Sequence, residues 1–380
     1  MKVLCKNEYL HKTIHKLERV AGKNTTLPIL TTILLEAKDG VFSLSATNLE
    51  VGIVIKIPSK IEKEGVVAIP ARLLGGFIQA LIGTNDIFLE GKRDAIFIKG
   101  GSQSAVIKGF NAQEFPIIPK QRRGQGSIVL PAQEARDAIE RVISFVSLNE
   151  TRPELTGVEM SFDGGYISFA ATDSFRLGEA RIKVEIKEGE MLGGLKSIII
   201  PASACHELIR LIGPEDKGVT LTIQEKQLFF TLPSTILVSR LIDGKYPDYK
   251  QIIPQSTGTT AVMHAEDFLR AIKAAALFTQ SSGGEIIMDI SEDKGVVGIA
   301  AQSQEAGESH AELRAVIHGG AQRVVLNPRY IMDGITAIGA PFIHIGVTAG
   351  TAPILFRGGD EEGGEAREGV LYIVMPIKSR

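Results

Sequence analysis

Two segments of the chain carry lysine, histidine and glutamate in patterns that resemble phosphate-binding and zinc-binding motifs. Gly22-Lys23-Asn24-Thr25 resembles the end of a phosphate-binding loop. That motif needs a glycine where Leu17 stands, and Ser or Thr directly after the lysine, where Asn24 stands. His206-Glu207 begins like a zinc-protease helix, yet Arg210 occupies the place of the second histidine ligand. We therefore predict no nucleotide site, no metal site and no other cofactor.

Two further segments hold a possible nucleophile or base without the partners that catalysis needs. Gly307-Glu308-Ser309-His310-Ala311 lacks the closing glycine of a nucleophile elbow. Asp173 follows an apolar run and has the chemistry of a general base, but Asn48 occupies the same place in a similar, earlier segment. Because Asn cannot act as a base, a turn-forming role that Asn and Asp share is the better interpretation. The sequence thus predicts no catalytic residues.

A line of cations near the N-terminus is the clearest pattern of charge. One helix face is predicted to carry Lys12, Lys16, Arg19 and Lys23. Another face of that helix is apolar and consists of Leu10, Ile14, Leu17 and Ala21. Such a cationic face is often only solvated surface, but it also suits the phosphates of a nucleic acid. Because the formal net charge is −2, any attraction must come from the local distribution.

The composition is that of an ordinary globular protein. The chain has 380 residues, of which 44% are hydrophobic and 23% charged, and no apolar run has the length of a membrane span. Residues 1–9 lack the apolar region of a secretory signal. Cys5 and Cys205 have no CxxC neighbours, which argues against a disulfide framework or a zinc site. We expect a cytoplasmic protein with reduced thiols and no membrane association.

A repeat along the chain predicts the helices and strands that position the polar and charged residues described above. A β-type ending is followed by the start of an amphipathic helix at residues 7, 71, 132, 202, 265 and 328. The intervals between these starts are 64, 61, 70, 63 and 63 residues, which indicates related units. The pattern predicts a helix at each start and short antiparallel strands in between.

A second pattern has twice that period and indicates three domains. The segment that ends at Asn48 resembles the one that ends at Asp173, 125 residues later, and a weaker copy ends at Ser303. Proline-marked exits at residues 115–119 and 246–254 lead into flexible stretches. We predict domains at residues 1–125, 126–256 and 257–380. Each is expected to be α+β, with two helices packed on antiparallel sheets.

If the equivalent helices face one side of the molecule, their cations would form one positively charged surface. Beyond the first helix, the residues predicted to face DNA are Arg72, Arg136, Arg141, Arg152, Arg210, Arg270 and Lys273. The helices also carry acidic residues, which would keep the field weak, and these are Glu140, Glu207, Glu266 and Asp333. Lys and Arg without base-reading groups fit the phosphate backbone, so double-stranded DNA would be bound independently of its sequence.

Several segments spread over the chain carry a recognisable combination of residues. They are Thr26-Leu27-Pro28-Ile29-Leu30, Glu114-Phe115-Pro116, Arg152-Pro153 with Leu155-Thr156-Gly157, Ala171-Thr172-Asp173-Ser174-Phe175-Arg176-Leu177, Leu241-Ile242-Asp243-Gly244-Lys245-Tyr246-Pro247-Asp248-Tyr249 and Tyr372-Ile373-Val374-Met375-Pro376-Ile377. Together they resemble the bacterial DNA polymerase III beta subunit, the sliding clamp family, and the resemblance covers nearly the whole chain. It implies a ring-shaped homodimer that encircles duplex DNA and tethers the replicative polymerase, without catalysis of its own. Implied partners are the alpha subunit of DNA polymerase III, the delta subunit of the clamp loader, and other polymerases and repair proteins with short apolar peptide motifs.

The family has a peptide cleft between its second and third domains, which the resemblance carries over residue by residue. The cleft residues would be Leu155, Thr172, Ser174, Phe175, Arg176, Leu177, Pro247, Ile252, Asn327, Tyr330, Ile373, Val374, Met375, Pro376 and Ile377. The apolar members would form a pocket, and Arg176, Asn327 and Tyr330 would orient the peptide. The chain departs from some relatives at Gln251 and Pro353, and residues 279–284 do not align clearly.

The resemblance also implies a dimer contact, which would join Ile107 of one copy to Leu277 and Phe278 of the other. Two other functions remain open at this point: a protein-interaction scaffold that never meets DNA, and an enzyme with an unrecognised interdomain site. A scaffold has no use for a line of cations on its first helix, and no catalytic set of residues supports the enzyme. The clamp is therefore the leading hypothesis.

Overall fold

A computed structural model describes residues 1–22, 26–122, 126–163, 165–184, 196–279, 284–349 and 351–377. Its helices within these ranges are α1 (Asn7–Leu17), α2 (Ala71–Ala80), α3 (Ala132–Val142), α4 (Ala202–Leu211), α5 (Ala265–Ala276) and α6 (Pro328–Ile338). Each begins at the residue that the repeat predicts, so the six predicted helix starts are confirmed. Across the described residues, the length and hydropathy needed to cross a bilayer occur in none of the helices.

The chain divides into two compact units, and each contains two antiparallel sheets. The first unit comprises the described parts of residues 1–136 and 203–241. The second comprises the described parts of residues 137–185, 196–202 and 242–380. The α+β class is thus confirmed. The three predicted domain boundaries do not coincide with these units and stay predictions.

The first unit holds thirteen of the described strands. They are β1 (Lys2–Lys6), β2 (Thr32–Lys38), β3 (Val41–Thr47), β4 (Val51–Ile57), β5 (Ser59–Lys63), β6 (Gly65–Pro70), β7 (Asp86–Lys92), β8 (Ala95–Gly100), β9 (Gln103–Lys108), β10 (Ser127–Pro131), β15 (Gly218–Gln224), β16 (Gln227–Thr231) and β17 (Thr235–Arg240). One sheet has the order β5-β1-β7-β8-β9, and the other has the order β10-β15-β16-β17-β4-β3-β2-β6. In the larger sheet, β17 of the predicted second domain pairs with β4 of the first, which explains why contacts do not separate these domains.

The second unit holds the other thirteen described strands. They are β11 (Gly157–Asp163), β12 (Tyr166–Thr172), β13 (Arg176–Lys183), β14 (Ser197–Pro201), β18 (Thr259–His264), β19 (Ile286–Ser291), β20 (Val296–Ser303), β21 (Gly307–Arg314), β22 (Val316–His318), β23 (Gln322–Leu326), β24 (Phe342–Val347), β25 (Ile354–Gly359) and β26 (Ala366–Val374). The sheet orders are β14-β11-β12-β13-β26-β25-β24-β18-β22 and β21-β20-β19-β23. Here β13 of the predicted second domain pairs with β26 of the third.

Helices pack on the sheets through apolar stripes. On α1, Leu10, Ile14 and Leu17 are buried, as the sequence predicts, and α1 packs against α2. In the second unit α5 packs against α6, and Tyr372 of β26 lies directly against Gly334 of α6. A Cβ atom at Gly334 would lie 2.2 Å from the tyrosine ring, so the close approach of helix and sheet requires glycine there.

Candidate functional site

The predicted cationic face of α1 is shorter than the sequence suggests. Lys12 and Lys16 lie on the helix, but α1 ends at Leu17, so Arg19 lies in the following turn. The turn keeps helical hydrogen bonds, since the amides of Glu18 and Ala21 still bond to carbonyls four residues back. For this reason the i, i+4 pattern continues past the true end of the helix. Lys23 lies outside the described residues.

Most of the predicted DNA-facing cations of the helices have acidic or carbonyl partners close by. Lys12 bonds Glu8 at 2.6 Å, Arg210 bonds Glu207 at 2.6 Å, and Arg270 lies 3.2 Å from Asp267. The ammonium of Lys16 donates to the carbonyl of Leu211 at 3.4 Å. Arg72 and Lys273 are exposed. Local pairing therefore weakens the positive field, as expected from the acidic residues on these helices.

Arg19 and Arg210, two of the predicted DNA-facing residues, line one cavity of about 240 Å³ in the first unit. His206 and Glu207 line the same cavity. Burial and the neighbouring Arg210 guanidinium lower the pKa of His206, so its imidazole is neutral at pH 7. The cavity thus presents two cations, Arg19 and Arg210, and Arg210 is paired with Glu207.

Two of the arginines predicted to face DNA are bound to other groups of the chain. Arg141 donates through Nη1 to the carbonyl oxygens of Ala337, at 2.7 Å, and of Ile338, so it caps the C-terminal end of α6. Arg152 donates through Nη1 to the hydroxyl of Ser174 at 3.3 Å, inside the predicted peptide cleft. Both guanidinium groups are held locally. Arg136 is half-buried on α3.

A loop between β12 and β13 forms the centre of the predicted cleft. The Oδ1 atom of Asp173 accepts hydrogen bonds from the amides of Phe175 and Arg176, both at 3.0 Å. The hydroxyl of Thr172 donates to the carbonyl of Arg176 at 2.6 Å, and Ser174 has a φ of 79°. The predicted turn-forming role of Asp173 is therefore confirmed.

The first unit contains the same loop between β3 and β4. Oδ1 of Asn48 accepts from the amides of Glu50, at 3.1 Å, and Val51, at 2.8 Å. Leu49 has a φ of 77°, close to that of Ser174. The shared Thr-Asn and Thr-Asp sequences thus encode one turn geometry, which accounts for the second repeat in the sequence.

Arg176 binds two aspartates at once. Its Nε donates to Asp173 at 2.9 Å, and its Nη1 donates to Asp333 at 2.5 Å. The Cζ atom also lies 4.5 Å from the centre of the Tyr330 ring, and only 12% of the side chain is exposed. The guanidinium is thus held by internal partners, and the role of Arg176 in orienting a bound peptide stays a prediction.

One face of the nine-stranded sheet gathers the buried apolar residues of the cleft. Leu155, Leu177 and Ile373 belong to a single buried cluster, together with Tyr246 and Tyr249. The half-buried Pro247 lies between these two tyrosines in the chain. Thr172 is buried beside them, at the end of β12. These residues form the floor of the predicted cleft.

Three large apolar side chains of the predicted cleft remain exposed. Phe175 is 60% exposed, Ile252 45% and Met375 37%. The amide of Met375 donates to the carbonyl of Phe175 at 2.8 Å, which ties the chain after β26 to the cleft loop. A partner that covered these side chains would remove apolar surface from water.

The remaining predicted cleft residues make contacts within the chain. Val374 follows Ile373 in β26, so its side chain points to the opposite, helix-facing side of the sheet. Oδ1 of Asn327 caps α6 by accepting from the amide of Arg329 at 2.9 Å, and the carbonyl of Tyr330 accepts from Tyr372 at 2.9 Å. After the half-buried Pro376, the amide of Ile377 donates to Val325 at 2.8 Å.

The departures noted in the sequence lie beside these residues. Gln251 donates to Asp248 at 2.8 Å on the exposed side of the turn that carries Ile252. Pro353 is half-buried and directly precedes β25. Of residues 279–284, only Thr279 and Gly284 are among the described residues.

One of the residues predicted for the dimer contact is buried within the chain. Ile107 is only 3% exposed, and its side chain lies in the core of the first unit, whereas the adjacent Val106 is 67% exposed. Both are on β9, the last strand of its sheet. Leu277 directly follows α5 and is 76% exposed, and Phe278 is half-buried. Val106 is thus the accessible apolar residue on this strand.

Comparison with known proteins covers nearly the whole chain. Models of the N-terminal, central and C-terminal domains of the DNA polymerase III beta subunit match residues 1–119, 129–248 and 250–377. The chain is 27% identical over 384 residues to the beta sliding clamp of Synechococcus elongatus, and the match covers 100% of both chains. It is 25% identical over 389 residues to that of Bacillus subtilis, also with 100% of both chains covered.

Solved structures share the fold. The crystal structure of the DNA polymerase sliding clamp from Bacillus subtilis superposes with a TM-score of 0.92 at 25% identity, over 100% of both chains. The sliding clamp of Pseudomonas aeruginosa bound to griselimycin has a TM-score of 0.91 at 23% identity, again over 100% of both chains.

Proposed function

Because this chain belongs to the bacterial DNA polymerase III beta subunit family, the sliding clamps, we propose that two copies close head to tail into a ring around duplex DNA. The chain is a non-catalytic processivity clamp of DNA polymerase III, as the family is. We further propose that its DNA contacts are made to phosphates, that it works in the cytoplasm, and that its domains span residues 1–125, 126–256 and 257–380.

The proposed ring closure joins two strands that lie at the edges of their sheets. β9 is the last strand of one sheet in the first unit, and β21 is the last strand of a sheet in the second unit. A strand edge presents backbone groups that can pair with another chain. If β9 of one copy pairs with β21 of the other, Val106 and Leu277 are the apolar side chains that such a junction would cover. A head-to-tail junction of this kind closes after two copies if the rotation permits.

The first prediction concerns this junction. In sedimentation equilibrium at micromolar concentration the protein should have about twice the monomer mass of 40.9 kDa. Val106→Asp and Leu277→Asp should each weaken the dimer at least roughly a hundredfold, because each ring would contain the buried carboxylate at two junctions. Leu148→Asp is the matched control, since Leu148 is 95% exposed and outside the proposed junction. A wild-type monomer, or equal behaviour of all three variants, would refute the proposed ring.

The proposed partner cleft consists of the buried floor around Leu177 and Ile373 and the exposed side chains of Phe175, Ile252 and Met375. We propose that short apolar motifs of the alpha subunit, the clamp loader delta subunit, other polymerases and repair proteins bind there. The proposal is supported by the position of these three exposed apolar residues, because each lies within three residues along the chain of a member of one buried cluster. Methionine adapts to ligands of different shape, which suits a site with several partners.

The second prediction tests the cleft with the alpha subunit of the same organism's DNA polymerase III as the probe. Ile252→Asp and Met375→Asp should each weaken its binding by a factor of about thirty or more in surface plasmon resonance, because a charge replaces a central apolar contact. Ile117→Asp is the control, since Ile117 is 94% exposed and belongs to the first unit. Both cleft variants should remain dimeric. Unchanged binding by both would place the partner site elsewhere.

A further inference from the structure

A buried carboxylate lies within the apolar floor of the proposed cleft. Glu179 of β13 is 1% exposed. In the sheet register it stands beside Ala170 of β12 on one side and Leu371 of β26 on the other, and both neighbours belong to the buried cluster. Burying a carboxylate costs far more than burying an apolar side chain of similar size, unless hydrogen bonds compensate. The partners of Glu179 are therefore informative.

Two side chains bind the carboxylate of Glu179. The hydroxyl of Tyr249 donates to Oε2 at 2.5 Å, and Nε of Arg181 donates to Oε1 at 2.7 Å. Burial, followed by the charge of Glu179, raises the pKa of the Tyr249 hydroxyl, so this group stays a donor across the physiological range. Ala170, the neighbour of Glu179 on β12, belongs to the same buried cluster as Tyr249.

Tyr249 begins the short helical turn Tyr249–Ile252, which carries one edge of the proposed cleft. Ile252 ends this turn, and Pro247 precedes it. Two backbone hydrogen bonds of the turn are long, since the amides of Gln251 and Ile253 each lie 3.4 Å from their acceptor oxygens. The charge-assisted bond from Tyr249 to Glu179 is shorter than either, and it joins the turn to the sheet.

We propose that Glu179 and Tyr249 are positioning residues, which hold the turn that bears Pro247 and Ile252 in the geometry that receives a partner peptide. The inference rests on the proposed cleft function. Neither side chain needs to touch the peptide, because both are buried, with Glu179 1% and Tyr249 4% exposed. The pair fixes the position of Ile252 relative to Leu177 and Ile373. A purely apolar floor would define this position less precisely, because it has no directional hydrogen bond.

The test uses the full-length protein and the alpha subunit as the probe. Tyr249→Phe removes only the donor and should weaken alpha binding about tenfold. Hydrogen exchange at the amides of Gln251 and Ile253 should become faster. Glu179→Leu should give a similar loss, and adding Tyr249→Phe to it should cause no further loss. Glu179→Gln keeps an acceptor for the tyrosine and should retain most of the affinity.

Two control variants distinguish a positioning role of Glu179 and Tyr249 from a general effect on the stability of the protein. Tyr166→Phe removes a hydroxyl from a partly exposed tyrosine of β12 and should change neither readout. Ile14→Val loosens the core of the first unit and should lower the unfolding midpoint without changing alpha binding. If wild type binds alpha and Tyr249→Phe binds it equally well, the positioning role is refuted while the cleft stands. If wild type itself does not bind alpha, the proposed cleft fails, and this inference fails with it.

Discussion

Clamps loaded onto nicked circular DNA should remain bound through a moderate-salt wash, and they should leave within minutes once the circle is cut. This outcome is expected because the protein's own attraction to DNA is weak. Lys12 and Arg270 are paired with carboxylates of their own helices, and the formal net charge is −2. Cations that are already paired within their own helices release fewer counterions on binding, so the intrinsic affinity is low. Retention must then come from topology.

The measurement compares three DNA substrates after loading by the clamp loader. Gel filtration should recover clamp with the nicked circle, little or none with the cut DNA, and clamp again with cut DNA whose ends are blocked by bound streptavidin. The blocked ends are the decisive control, because they change neither the phosphates nor the length of the duplex. Equal retention on all three substrates would mean that binding is electrostatic and that no ring surrounds the DNA.

A charge variant adds a second arm to the same experiment. Arg19 and Arg210 line one cavity, so Arg19→Glu with Arg210→Glu removes the cations that it presents. The double variant should load less efficiently, since steering of the duplex depends on these charges. Once loaded, it should remain on the nicked circle as long as wild type does. Rapid loss from the circle would show that these contacts, and not closure, hold the DNA.

The repeat in the sequence specifies the secondary structure better than it specifies the compact units. All six helix starts follow from recurring β-type endings, because a local pattern sets where a helix begins. The sequence pattern places the end of α1 beyond Leu17, where the helix ends, because the turn through Arg19 keeps the helical spacing of apolar residues. The three-domain pattern appears as two units in the structure, because β4 pairs with β17 and β13 pairs with β26. Such pairings between distant strands leave no local signal.

The site was predictable where its residues act through neighbours in the chain. The turn role of Asp173 followed from its counterpart Asn48. The partners of Arg176 and Arg141 were not predictable, because Asp333 and Ala337 lie 157 and 196 residues further along the chain. Ile107, predicted to lie at the dimer contact, is buried while Val106 is exposed, because in a strand one position exchanges the two faces. The alternation of exposed Ser104, Val106 and Lys108 in β9 was the signal that identifies the outer face.

A large loss of stability is expected when Arg176 is replaced. Arg176→Ala should lower the free energy of unfolding by about 3–5 kcal/mol, because it leaves two aspartates without their shared cation. Only 12% of the Arg176 side chain is exposed, and its partners Asp173 and Asp333 are themselves 17% and 35% exposed. The stacking of the guanidinium on Tyr330 is lost as well. Arg176→Lys should recover only part of the loss, because a lysine cannot reproduce the planar fork.

Arg270→Ala supplies the matched control, since it removes an arginine that also contacts two acidic side chains. Arg270 is 70% exposed, and its contacts with Glu266 and Asp267 lie within one helix. Solvent screens such pairs, so the expected loss is about 0.5 kcal/mol or less. Urea unfolding followed by circular dichroism gives both values, and a cycle with Asp333→Asn isolates the Arg176 pair. A loss at Arg176 as small as that at Arg270 would mean that its ion pairs are solvated, and that the apolar contacts between β13 and β26 alone hold the cleft loop in place.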